Sequence, residues 1–175
     1  MTKHSSPSAA LPIAHVLLRI LIVLNWLSGA AVLALLVVLP NRQWIISALD
    51  LSPSPEAETL IMGLRAIAVV CLATIPLSYL VLKRLLAIVE TVRAGDPFVA
   101  ANATRLQAIA RALLALQLLS IVIGAISKSI STPAHPIDLD AGFSINGWLA
   151  VLLTFLLARV FAEGARMRDD LEGTV

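Results

Sequence analysis

Residue types that perform chemistry are sparse and scattered in this sequence of 175 residues. The one cysteine, Cys71, lies inside an apolar run, and the three histidines form no pair at helical spacing. His135 with Asp138 and Asp140 matches no established metal-ligand spacing, so a solvated turn is the favoured interpretation of that segment. We find no glycine-rich phosphate loop, no carboxylate pair and no nucleophile beside a base. The sequence therefore predicts no catalytic residues, no metal, no cofactor and no enzymatic activity.

A short polar pattern recurs inside two apolar stretches at a constant offset of 92 positions (117 minus 25, for example). Small and hydrogen-bonding side chains on one helix face are typical of helix–helix contacts in lipid, which is the favoured interpretation. The alternative is a polar cavity around Asn25 and Gln117 that holds a small ligand, as in a transporter or channel subunit. The repeated residues are Arg19, Asn25 and Ser28, matched by Arg111, Gln117 and Ser120.

Composition determines which elements must position these side chains. The chain is 59% hydrophobic and 14% charged, whereas soluble domains are about 45–50% apolar and about 25% charged. A membrane helix needs about 20 apolar residues, and four segments qualify, at about 14–39, 60–82, 106–126 and 143–162. We therefore predict an all-α fold, a single polytopic membrane domain over residues 1–175 built as a bundle of four transmembrane helices.

The distribution of basic residues predicts the orientation in the membrane. Lys and Arg near span ends stay on the cytoplasmic side. Seven such residues lie at the termini and between the second and third spans, against two in the other loops. We expect both termini in the cytoplasm and a multi-pass protein of the cell (cytoplasmic) membrane. The seven are Lys3, Lys83, Arg84, Arg93, Arg105, Arg166 and Arg168, and the two are Arg42 and Lys128.

The connection between the second and third spans has the clearest local pattern. Apolar residues at three- and four-residue spacing continue past the second span, so the helix is predicted to project beyond the membrane until Gly95. Asp96 and Pro97 predict the N-cap and first position of the next helix, and we expect Phe98 to pack back on the outgoing helix. These features predict a cytoplasmic helical hairpin at about 83–105.

Two patches of the sequence resemble the bacterial domain of unknown function 2975 family. The first covers residues 90–99 and continues with Asn102 and Arg105, and the second covers residues 159–167. The resemblance implies a small integral membrane protein with four spans and no enzymatic activity. It also implies that small helix-turn-helix regulators are partners of many members. It transfers no functional residues to this chain.

Two functions follow as hypotheses. The first is a regulatory or scaffolding protein that docks a soluble protein or anionic lipid through the cytoplasmic hairpin. The second is the small transporter or channel subunit with the polar site described above, which would be a homo-oligomer because four spans enclose little room. The net charge of +2 argues against direct nucleic-acid binding. The four apolar segments make the lipid bilayer the expected surroundings of the chain. The candidate docking residues are Arg93, Gly95, Asp96, Pro97, Phe98, Asn102 and Arg105, and the candidate intramembrane residues are Asn25, Ser28, Gln117 and Ser120.

Overall fold

Long apolar segments in this chain form helices, which satisfy every backbone hydrogen bond within the segment and so suit a lipid solvent. A computed structural model describes residues 10–38, 55–132, 136, 137, 139 and 141–172. Over those residues the chain forms four α-helices and no strand. The helices are α1 (Ala10–Val38), α2 (Pro55–Arg93), α3 (Ala100–Ile130) and α4 (Ile145–Glu172).

Each helix contains a segment long and apolar enough to cross a membrane. The all-α fold class with four membrane-spanning helices is thereby confirmed, and the four apolar helices indicate a multi-pass membrane protein. The candidate spans are Leu11–Val37, Ala57–Arg93, Ala100–Ile130 and Ile145–Arg168.

The helices extend beyond the spans predicted from hydropathy, mainly at one end of the molecule. The second span was predicted to end at residue 82 with its helix continuing until Gly95, and α2 does continue to Arg93. The fourth was predicted to end at residue 162, but α4 continues to Glu172. Residues 94–99 connect α2 to α3 at this same end, which we call the turn end. The helical extensions place a helical platform around that connection.

Packing follows the order of the chain: α1 packs on α2, α2 on α3, and α3 on α4. The inner helices α2 and α3 consequently bury the most surface. None of the most apolar segment of α1 is buried (0%), against 33% of that of α3. The outward leucines and valines of the outer helices are therefore left for lipid to cover, as expected of a protein whose solvent is a bilayer.

Three apolar clusters hold the helix pairs together. Ile61 and Ala68 of α2 pack against α1, and a cluster near the end opposite the turn joins α2 to α3. Close approach there depends on Gly63, since a Cβ at that position would lie 2.4 Å from Cγ2 of Ile130. Nearer the turn end, α2, α3 and α4 meet around the buried residues Leu106, Ile109 and Ala158.

Candidate functional site

The turn between α2 and α3 is a closed hydrogen-bonded structure. Gly95 has φ +86, a conformation that only glycine adopts without strain. Its N–H donates to the Val92 carbonyl at 3.1 Å, and the Asp96 N–H donates to the Thr91 carbonyl at 3.0 Å. These two bonds make a Schellman motif, which satisfies the last carbonyls of α2. The prediction that Gly95 ends the helix is confirmed.

The start of α3 differs from the prediction. Asp96 and Pro97 were expected to cap and open the helix, but α3 begins at Ala100 and Val99 is its N-cap, with no side-chain cap bond. The Asp96 carboxylate instead accepts a hydrogen bond from Nη1 of Arg168 in α4. The capping prediction is wrong because a tertiary ion pair competes successfully for the carboxylate.

A buried polar cluster, here called the Asn102 clamp, ties the turn to both helices. Asn102 is 0% exposed. Its Nδ2 donates to Thr91 Oγ1 at 2.8 Å and to the Pro97 carbonyl at 2.9 Å. Nη1 of Arg105 donates to Asn102 Oδ1 at 2.7 Å and to the Ala87 carbonyl at 3.2 Å. The polar atoms of Asn102 and Arg105, both named above as docking candidates, are thus used within the chain.

Phe98 connects the turn to α4. Its ring centroid lies 5.3 Å from that of Phe161. A Cβ on Gly164 would lie 3.1 Å from Cδ1 of Phe98, so the ring rests against α4 where it has no side chain. The contact of Phe98 with α4 was not predicted from the sequence, and it forms because α4 extends far enough to receive the ring. Phe98 is still 46% exposed.

Exposed side chains surround this turn. Arg93, at the end of α2, and Gly95 are solvent-exposed. Arg166 and Met167 are exposed on the last turns of α4, Met167 at 56%. We call these four residues together with Phe98 the turn-end surface. It combines two guanidinium groups with two large apolar side chains, and the Asn102 clamp holds the part of its backbone that belongs to the turn.

Asn25 lies at the contact between α1 and α2. Its Nδ2 donates to the Ile75 carbonyl at 3.2 Å, and Gly29 brings the helices close, since a Cβ there would lie 3.1 Å from Cγ2 of Ile75. Ser28 donates to the Asn25 carbonyl of its own helix at 2.9 Å. The Asn25 amide is thus used in helix packing, whereas the Ser28 hydroxyl bonds within its own helix.

Gln117 and Ser120 lie at a different contact, between α3 and the segment before α4. Ser120 Oγ accepts from the Gly142 N–H at 3.1 Å, and Gln117 Nε2 lies 3.4 Å from the Gly142 carbonyl. The structure therefore brings Gln117 and Ser120 together but leaves Asn25 with α2. In both halves of the repeated pattern the amide points at a backbone carbonyl of the next element along the chain.

Histidine and carboxylate groups show little clustering over the part of the chain that is described. His15 Nε2 lies 3.8 Å from Glu90 Oε1, joining the start of α1 to the end of α2. No group of three or more His, Cys, Asp or Glu residues with metal-binding proximity occurs among the described residues. His135, Asp138 and Asp140, discussed above as possible metal ligands, lie outside the described residues.

The fold and its turn define a class: multi-pass helical membrane proteins with a hydrogen-bonded turn between the second and third helices. The model of the family of proteins of unknown function called DUF2975 matches residues 52–175, which include α2, α3, α4 and the whole turn. The chain belongs to this family, and the resemblance noted in the sequence is thereby confirmed. No curated protein and no solved structure matches the chain.

Proposed function

We propose that this protein is a non-enzymatic regulatory or scaffolding partner of the cell membrane that docks a soluble cytoplasmic protein through the turn-end surface. The observation that carries the proposal is the ordering of that surface. The Schellman motif, the Asn102 clamp and the contact of Phe98 with α4 fix a connection that a simple loop between spans would not need.

The position of the surface supports a role in docking. Beyond residue 82, α2 continues to Arg93, a length of about 16 Å at about 1.5 Å per residue. Beyond residue 162, α4 continues to Glu172, about 15 Å by the same geometry. With the predicted orientation, this platform stands clear of the headgroups on the cytoplasmic side, where a folded protein can reach it.

The chemistry of the surface also fits a protein partner. Phe98 and Met167 are 46% and 56% exposed, and aromatic, Met and Arg side chains are enriched in protein interfaces. A surface held rigid before binding loses less conformational entropy when the partner arrives. The family resemblance favours a small helix-turn-helix regulator as that partner.

Crosslinking in cells tests the docking. A photo-crosslinking amino acid placed at Met167 should capture a soluble helix-turn-helix regulator, because its side chain is exposed beside the turn. Arg93→Glu should reduce this capture by about tenfold, the effect of losing roughly 1.4 kcal/mol of binding free energy. Lys128→Glu is the matched control, since it reverses an exposed charge at the opposite end of the molecule.

Two results would contradict the proposal. One is undiminished capture of the same regulator from Met167 when Arg93→Glu is present. The other is an absence of soluble protein crosslinks from Met167 when α4 inserts normally. Membrane insertion of each variant is checked by resistance to alkaline carbonate extraction, so that a failed insertion is not mistaken for lost docking.

The transporter or channel alternative has less support, because Asn25 and Gln117 bond to backbone groups of different neighbours. It retains a direct test. Substitution of both residues by leucine should abolish any flux measured with the protein in vesicles. Flux that persists at the level of the natural sequence would restrict both amides to helix packing.

A further inference from the structure

A groove on the surface of the α3–α4 pair holds more positive charge than its own carboxylate neutralises. Its volume is about 740 Å³, and its charged lining consists of Arg111, Arg159, Arg166 and Glu163. Glu163 lies 3.7 Å from Arg166. Arg111 has only a long contact of 3.4 Å, to Oε1 of Gln107. Within the described part of the chain, neither Arg111 nor Arg159 is paired with a carboxylate.

The rest of the groove is apolar and lies toward the membrane interior. Leu152, Phe155 and Leu156 line it, and their spacing of three, four and seven positions before Arg159 places all four residues on one face of α4. Leu152 and Leu156 are 57% and 54% exposed. The groove thus has a cationic end toward the turn and an apolar floor away from it.

With the predicted span boundaries, the cationic end lies at the depth expected for lipid phosphates. Ala158 of α4 packs with Leu106 and Ile109 of α3. Arg159 is therefore level with residue 106, the predicted membrane boundary of the third span. Arg111 starts deeper, but its guanidinium reaches back one helical turn to Gln107, toward the same boundary. Two guanidinium groups from facing helices therefore line the groove near the predicted headgroup level.

We propose that this groove binds one anionic phospholipid, with its phosphate on Arg111 and Arg159 and an acyl chain along Leu152, Phe155 and Leu156. Guanidinium groups form strong charge-assisted hydrogen bonds with phosphate oxygens, and basic pockets between membrane helices hold anionic headgroups. Free inorganic phosphate would use the same guanidinium groups but none of the apolar floor, which is why a lipid is the occupant. This proposal does not depend on the docking function.

Lipid binding by the purified full-length chain tests the proposal. Native mass spectrometry in mild detergent measures binding of phosphatidylglycerol, of phosphatidylcholine with the same acyl chains, and of inorganic phosphate. Phosphatidylglycerol should bind preferentially. Arg159→Gln and Arg111→Gln should each weaken it about fivefold, the usual contribution of one basic residue at an anionic surface.

A matched control comes from the outer helix α1. Arg19 is exposed and follows His15, which contacts Glu90 near the turn end. It therefore lies at a depth similar to that of Arg159 but outside the groove. Arg19→Gln should leave phosphatidylglycerol binding unchanged. Glu163→Gln, which removes the one negative charge of the groove, should strengthen it.

Several results would overturn the proposal. Equal binding of phosphatidylcholine would show that the headgroup charge is not recognised, and binding of inorganic phosphate without phosphatidylglycerol would make the site one for a free anion. An equal loss of phosphatidylglycerol binding with Arg19→Gln would show that only the general surface charge matters. A loss of binding with Lys83→Gln but not with Arg159→Gln would place the lipid at the α2–α3 pair. If an arginine variant fails to fold, Glu163→Gln still tests the proposal. Weaker phosphatidylglycerol binding by the Glu163→Gln variant would contradict it.

Discussion

At the scale of single residues, Asn102 has the greatest influence on the turn end. It donates to the turn at Pro97 and to α2 at Thr91, and it accepts from Arg105 of its own helix. A buried amide that meets several partners at once specifies one arrangement of the backbone, since any other arrangement leaves polar groups unpaired in a dry environment.

Asn102→Ala should therefore destabilise the protein by about 2 kcal/mol, because the Pro97 carbonyl loses its donor and the Arg105 guanidinium loses the shorter of its two hydrogen bonds. Thermal unfolding in detergent, followed by circular dichroism, measures the effect. Arg93→Ala, at an exposed site nearby, should change the free energy of unfolding by less than about 0.5 kcal/mol. Equal stability of the two variants would show that the clamp does not stabilise the fold.

Gly63 provides a second prediction at the residue scale. A methyl group there would lie 2.4 Å from Cγ2 of Ile130, so Gly63→Ala should cost about 1 to 3 kcal/mol through overpacking. Adding Ile130→Ala removes the obstructing atoms and should recover part of that loss, which a double-mutant cycle measures as a coupling of at least about 0.5 kcal/mol. Strictly additive changes in the free energy of unfolding would show that Gly63 and Ile130 are not in contact.

Gly124→Ala serves as a comparison for the double-mutant cycle of Gly63 and Ile130. The added Cβ would lie 2.6 Å from the Ala141 carbonyl oxygen, which is backbone and cannot be truncated. Its cost should exceed that of Gly63→Ala, and no side-chain deletion should recover it.

Sequence reasoning was least successful at this scale. Asp96 satisfies every local rule for a helix N-cap, and Phe98 is well placed by spacing to pack on α2. Asp96 instead bonds to Arg168 of α4, and Phe98 has an unpredicted contact with Phe161 of α4. Local rules describe only the neighbours along the chain, and these partners lie more than sixty residues away. The Asn102 clamp was not predicted for the same reason, because a single asparagine in a polar segment has no pattern that indicates its hydrogen-bond partners.

At the scale of elements, the four helices were predictable because lipid imposes a simple length and hydropathy requirement on each span. Hydropathy did not show where α4 ends, because the span predicted from it stops at residue 162 and the helix continues to Glu172. The end of α2 was predictable, because apolar spacing continues past residue 82 and the left-handed conformation at Gly95 makes a strong and local demand on residue type.

Gly95→Ala tests that demand. The residue has φ +86, and forcing an L side chain into this conformation costs roughly 1 to 2 kcal/mol. We expect lower thermal stability and faster hydrogen exchange of the Asp96 amide, which closes the Schellman motif. Gly95→Asn should lose less, because asparagine tolerates this conformation better. Equal losses with alanine and asparagine would argue against backbone strain as the cause.

At the scale of the whole molecule, the alternating helices place the start of α1, the turn and the end of α4 at one end. The contacts of His15 with Glu90 and of Arg168 with Asp96 join these three segments. Their common location matches the alternation that an even number of spans requires, and the bias of basic residues predicts that this end faces the cytoplasm.

Cysteine labelling measures the orientation. In a Cys71→Ala background, Arg93→Cys should react with a membrane-impermeant maleimide only after spheroplasts are permeabilised. Lys128→Cys, at the opposite end of α3, should react in intact spheroplasts. The reverse pattern would invert the orientation and would contradict the proposed docking to a cytoplasmic partner.

The packing of each helix on its predecessor has a consequence for biogenesis. As the ribosome delivers α2, its partner α1 is already in the bilayer, and the same holds for α3 and α4 in turn. The polar group of Asn25 can therefore be satisfied as soon as the next helix enters the bilayer, and only the contacts of the turn end with α4 must wait for the last helix. This order of packing allows most of the assembly to proceed in step with translation.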